Sequence, residues 1–272
     1  MIQSSVPSTN RSGIKAADVR PETDSVLLGM VLRERRVVGT LLGITAFLGL
    51  AGLMSLIAKL YLTDFFGRDL FIGLFDLNNE SNVPAAFSAL LLLLATLMLG
   101  VIAWARRQGA RADALSWKAL TFIFGFLALD EAAMLHERTA DITRNVVKTD
   151  GILHYAWVLP YGVLALIVGL AFVRFLTQLP ASIRNRVIVA GAIYVTGALG
   201  FELLEGAVVS DGGTQSLLNQ SLVVAEEGME MLGVILFIGA LLSYIRMYLP
   251  GLQLRLSVAP VSPLTPRDSS GD

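Results

Sequence analysis

Nine residues in three stretches could carry chemistry in this chain. Asp130, Glu131, His136 and Glu137 stand in "LDEAAMLHE", Glu202 and Glu205 in "FELLEG", and Glu226, Glu227 and Glu230 in "AEEGMEMLG". Each stretch lies within or beside a long apolar run. Eight carboxylates and one imidazole form a hard donor set that suits Mn, Fe, Zn, Ca or Mg more than copper. A bound divalent ion, with Mn, Fe or Zn the expected choices, would polarise a carbonyl or phosphoryl oxygen or activate a water. His136 and Glu131 are the candidate catalytic residues, as general acid or base. All nine are candidate metal ligands.

Spacing groups them. Glu202 and Glu205 are i,i+3 neighbours on a helix, Glu226 and Glu230 are i,i+4, and Glu227 and Glu230 are i,i+3, so each set points into one sector. Glu226 and Glu227 are adjacent, and one of them is expected to turn away from the shared face. On a continuous helix Asp130 and Glu137 share a face, with Met134 between them. Paired acids from several helices resemble the general logic of carboxylate-bridged dimetal bundles. Those bundles use Glu-x-x-His twice, whereas this chain offers one His, so the likeness is of chemistry and not of membership.

The elements that position these residues are legible from composition. Of 272 residues, 54% are hydrophobic and 16% charged, against about a quarter charged in a soluble domain. Mean hydropathy is +0.66. The expected fold is all-α, a polytopic membrane bundle of about six helices near Val37–Leu62, Pro84–Ala105, Leu120–Glu137, Tyr155–Leu176, Val187–Val209 and Gln220–Leu249, each long enough to cross the hydrocarbon core. The third is the shortest and most polar. Residues 1–25 and 257–272 are expected to be disordered cytoplasmic tails around a membrane domain at 26–256. The first span starts after a polar N-terminus and is too long for a signal-peptide core, so it is expected to remain uncleaved. The chain has no cysteine, which excludes disulfides, thiolate metal sites and Cys nucleophiles. Its formal net charge of −1 argues against a nucleic-acid partner.

Lys and Arg set the expected orientation. With both termini cytoplasmic, the inner segments hold Arg33, Arg35, Arg36, Arg106, Arg107, Arg111, Lys118, Arg174, Arg184, Arg186 and Arg246. The outer side keeps Lys59, Arg68, Arg138, Arg144 and Lys148. In a bacterium this is an inner-membrane protein. At about 1.5 Å per residue, three helices far apart in sequence deliver acids to one layer in the outer half of the bilayer. Asp130, Glu131, Glu202 and Glu230 are deepest. Glu137 beside Arg138, His136 and His154 also suit the interface, and Met134, Met229 and Met231 suit packing.

Each acid near a helix centre costs roughly 2.5–3.5 kcal/mol on insertion scales. No Lys or Arg lies at that depth in these spans. The acids must therefore be protonated, hydrated in a cavity, or neutralised by cations. Three functions fit. One is a metal-dependent enzyme acting on a membrane lipid or lipid-linked substrate. The second is a proton or divalent-cation transporter. The third is a structural membrane protein with protonated glutamates bonded between helices. The loop "FDLNNESNVP" is a second place to look, through Asp76, Asn78, Asn79 and Glu80. There Asn82 also reads as a helix cap with Pro84 in the first turn.

Overall fold

The structure, a computed structural model, describes residues 33–79, 81–108, 113–213 and 216–252. The expected tails at 1–25 and 257–272, together with Glu80 and Arg111, lie outside the described residues. Every regular element within them is helical. In chain order these are α1 (Glu34–Tyr61), α2 (Arg68–Phe75), α3 (Val83–Gln108), α4 (Ala114–Ala133), α5 (Leu135–Val146), a 3-10 turn (Gly151–Leu153), α6 (Val158–Gln178), α7 (Ala181–Val195), a π turn (Thr196–Phe201), α8 (Glu202–Ser210) and α9 (Leu217–Tyr248). Five helical segments are long and apolar enough to cross a membrane: α1, α3, α6, α7 through α8, and α9. The bent pair α4 and α5 makes six if it counts as one span.

Local chemistry fixes several ends. Asn82 accepts from the Ala85 N–H at 2.9 Å and so caps α3, with Pro84 in the first turn, where a missing N–H costs nothing. Asp76, buried just before that turn, takes the Lys59 ammonium at 2.7 Å. This ties the end of α1 to the start of α3. Ser216 accepts from Asn219 N–H at 3.1 Å and starts α9. At the opposite end Arg106 donates to Asp113 at 2.8 Å, and Asp113 also accepts from the Trp117 indole at 3.1 Å.

α9 is the spine. Its Val234, Ile235, Ile238 and Leu241 join Leu92, Ala95, Leu99 and Ile102 of α3 in one buried cluster. Phe124 of α4 stacks on Phe237 at 4.6 Å between centroids. Trp117 wedges between Phe175 and Tyr244, at 5.1 and 4.7 Å. In lipid no hydrophobic drive joins one helix to another, so close packing and small residues do it. Gly233 is a close helix–helix approach: a Cβ there would lie 2.8 Å from the Tyr194 nitrogen and 2.9 Å from its Cα. The backbones of α7 and α9 cross through that gap.

Two expected spans are altered. The third is not one helix through Glu137. It ends at Ala133, Met134 takes the left-handed conformation (φ 52°, ψ 47°), and α5 leaves at 86°. Asp130 and Glu137 therefore do not share a helical face. The polar composition of Leu135–Val146 favours this: α5 is strongly amphipathic and buries only Ala140. Met134 is thus the hinge of the span. The fifth span begins earlier than expected, at Ala181, and carries the π turn in its second half.

Gly233→Ala should lower stability by about 1–3 kcal/mol, because backbone cannot give way as a side chain can. Gly191→Ala, which meets nothing within 4 Å, should leave stability unchanged or slightly raised. Thermal unfolding of both variants in one detergent compares them.

Candidate functional site

The π turn is the first positioning device. One extra residue in the turn rotates the chain that follows, and α8 starts with Glu202 and Glu205 directed toward α9. Gly197, buried inside the turn, permits the close approach. A Cβ there would lie 3.1 Å from the Glu226 carbonyl oxygen and 3.1 Å from the Glu230 Cγ. As a result, single carboxylate oxygens of Glu202, Glu205 and Glu226 lie within 4.8 Å of one another. Glu202 is 7% exposed and Glu205 3%. Glu202 Oε1 accepts from the Trp157 indole at 3.1 Å. Glu205 Oε1 is buried with no N–H donor among the described residues, and the Glu226 carboxyl lies within hydrogen-bonding reach of Glu205.

The bend at Met134 is the second device. On a straight helix His136 would sit about 240° around from Asp130. The left-handed residue folds it back, and His136 Nδ1 reaches Asp130 Oδ2 at 3.3 Å. The Tyr161 hydroxyl donates to Asp130 Oδ1 at 2.7 Å. Both oxygens of this buried acid are thus engaged, one by a phenol and one by the imidazole. The His136 ring lies 4.9 Å from that of Trp157, which meets Tyr161 edge-on at 5.3 Å.

A third contact set closes the ring of elements. Ser210, at the end of α8, donates to Asp150 at 3.0 Å and also approaches the Gly151 carbonyl and His154 Nδ1. The Gly151 N–H and then Ser210 hold the Asp150 carboxyl below its usual range. Gly206 makes room for this clasp, since a Cβ there would lie 3.2 Å from the carbonyl oxygens of Gly151 and Ile152. His154 therefore belongs to a loop clasp beside the acids and does not line the cavity described next.

That cavity has a volume of about 1090 Å³. Asp130, Glu131, His136, Glu137, Glu202, Glu205, Glu226, Glu227 and Glu230 all line it. Glu226 and Glu227 both do so, against the expectation that one would turn away. The cavity runs between helices and not along one face, so neighbouring positions of α9 can both border it. Asn78 of the α2–α3 connection reaches it, whereas Asp76 is committed to Lys59. No Lys or Arg is among its described lining residues. Away from the acids the lining is apolar, with Leu120, Phe172, Phe175, Leu176 and Val187 at the far end.

Trp157 and Tyr161 are the residues that sequence reasoning did not assign to the site. Their signal was present: two aromatic donors one helical turn apart, at the end of α6 that enters the acid layer. As amphipathic rings near a span end they also fit an ordinary interfacial belt.

Residues 41–245 match the family described as "Domain of unknown function (DUF8692)", and the chain belongs to that family. The match contains all nine residues. No curated protein and no solved structure matches the chain.

Trp157→Phe should cost about 1–3 kcal/mol of stability, because it strips the buried Glu202 of its donor. Trp104→Phe, at a half-exposed position, is the control and should change little. Met134→Gly should stabilise by about 1–2 kcal/mol by removing the left-handed strain. Unfolding midpoints in detergent read all three.

Proposed function

We propose that this protein is a multi-pass membrane enzyme that holds a divalent metal ion at Glu202, Glu205 and Glu226 and acts on a lipid or lipid-linked substrate. The supporting observation is the convergence of carboxylate oxygens of Glu202, Glu205 and Glu226, all within 4.8 Å of one another. Among the described residues, the chamber they line carries no Lys or Arg. Buried carboxylates in such a place need a cation or protons. The spacing fits an ion: oxygens on opposite sides of a metal bound at 2.0–2.6 Å are about 4–5 Å apart. With waters completing the coordination, the all-oxygen donor set fits Mn best of the three expected ions, ahead of Fe or Zn.

When bound, the ion would supply Lewis-acid polarisation of a carbonyl or phosphoryl oxygen, or an activated water. The chain's own residues supply the rest. His136 is the acid or base that faces the cavity. Asp130, anchored by Tyr161, orients the imidazole, as carboxylates commonly do for functional histidines. In this reading Asp130 is a positioning residue and not a ligand. Trp157 fixes the rotamer of Glu202. Glu131, Glu227 and Glu230 extend the acidic wall and offer a second proton carrier, with Glu131 the preferred one. Glu137, exposed, sits at the rim.

The distribution of Lys and Arg supports cytoplasmic termini, and so a site in the outer half of the membrane. In a bacterium that membrane is the inner one. Cation or proton transport through the same acids is the competing reading. It is disfavoured because the far half of the cavity, from Leu120 to Leu176 and Val187, gives ions no polar lining.

Metal content of the purified protein, measured by inductively coupled plasma mass spectrometry, tests the proposal. The wild type should hold a stoichiometric transition metal. Glu202→Gln, Glu205→Gln and Glu226→Gln should each weaken retention by about tenfold or more. A wild-type protein that binds nothing after loading with Mn, Fe and Zn would sink the metal-enzyme reading.

A further inference from the structure

The cavity has a polarity axis. Three helices set it independently. α4 places Leu120 at one end and Asp130 at the other, about 15 Å away along the helix. α7 runs the same way and continues from Val187 to Glu202, about 22 Å. α6 runs in the opposite direction and agrees: Trp157 and Tyr161 stand with the acids, Phe172 and Leu176 at the apolar end. The chamber is therefore polar at one end and hydrocarbon-like along most of its length.

Its side wall is not sealed. Phe122 and Phe126 of α4, Leu164 of α6, and Ile188 and Val195 of α7 line the cavity and are also exposed on the molecule's surface. α4, α6 and α7 bury few residues against the bundle, only Val158 and Phe175 in the case of α6. In a bilayer that wall borders acyl chains, which reach the chamber sideways without passing through water.

Charge selects the head. Eight carboxyl groups line the polar end, and no Lys or Arg does. Protons or one divalent ion offset part of that charge, and no Lys or Arg among the described lining residues offsets the rest. An anionic head such as a phosphate monoester enters against the remaining acids. An amine or hydroxyl head meets acceptors.

We infer that the apolar part of the cavity is a binding site for one hydrocarbon chain of a membrane amphiphile whose head is cationic or uncharged. The chain enters between α4, α6 and α7, and the head lies at Glu202, Glu205 and Glu226. This inference rests on the proposed function above for its claim that the occupant is the substrate. Gly169 and Gly191 set the width of the chamber. Both line it, and a Cβ at either meets nothing within 4 Å. A larger side chain there fills the space the hydrocarbon needs, far from every acid, and replaces helical Gly with a better helix former.

The test uses the full chain in nanodiscs of uncharged lipid. Three photoactivatable probes share one long alkyl chain with a mid-chain diazirine and differ in head: primary amine, alcohol or phosphate monoester. The amine and the alcohol should label peptides of α4, α6 and α7, with the phosphate about tenfold weaker. Gly191→Leu should cut labelling about tenfold while retaining metal, and Gly169→Leu is the replacement variant if Gly191→Leu fails to fold. Equal labelling by all three heads, or labelling indifferent to both glycine variants, overturns the inference. Metal retained with no labelling also overturns it and leaves the metal reading standing. Labelling with the expected head preference but no metal in the wild type upholds the amphiphile site and removes the metal-enzyme reading instead.

Discussion

Negative charge without fixed positive charge, held out of water, is the constraint on which the rest of this structure depends. Lining a single cavity with Asp130, Glu131, Glu202, Glu205, Glu226, Glu227 and Glu230, with Glu137 at its exposed rim, is costly in a medium of low dielectric. Neutral donors soften part of that cost. The Trp157 indole serves Glu202, and the Tyr161 hydroxyl serves Asp130. Among the described residues, several Lys and Arg pair elsewhere. Lys59 holds Asp76, Arg106 holds Asp113, and Arg186 holds Glu34. These pairs fasten the ends of helices.

The bundle reaches this arrangement by interrupting helices. A straight third span would throw His136 to the wrong side, and Met134 reverses that at the expense of a left-handed non-glycine residue. A regular fifth span would turn Glu202 and Glu205 by a different amount, and the π turn resets them. Strained or irregular backbone of this kind collects where chemistry requires a geometry that regular helices do not offer. α9 supplies the opposite quality. It is unbroken, buries more residues than any other described helix, and gives the interrupted segments a fixed surface to close against.

Much of this was legible in the sequence because apolar run length and intramembrane acids are strong signals. The all-helical reading follows from the runs. The convergence of three acid stretches follows from adding helix rise to span direction, and all nine singled-out residues do border one cavity. The irregularities were not legible. Nothing in Ala133-Met134-Leu135 resembles a helix stop, since no Gly or Pro marks it. The bend is decided by where the amphipathic Leu135–Val146 can lie. The π turn reflects the fit of Gly197 against Glu226 and Glu230, a tertiary fact that no local window contains. For the same reason Glu226 and Glu227, though adjacent, both find the cavity.

The length of α9 has a consequence for where the acid layer sits. Its 32 residues measure about 48 Å, well beyond the roughly 30 Å of a bilayer's hydrocarbon core. A span of that length is matched to lipid by tilting or by projecting past the headgroups. Glu226, Glu227 and Glu230 lie nine to thirteen residues from its start at Leu217, so any change of tilt moves them along the membrane normal together with everything closed against them. Bilayer thickness thereby becomes a variable of the site itself: a thicker membrane draws the carboxylates deeper into hydrocarbon, and a thinner one lifts them toward the headgroups and water.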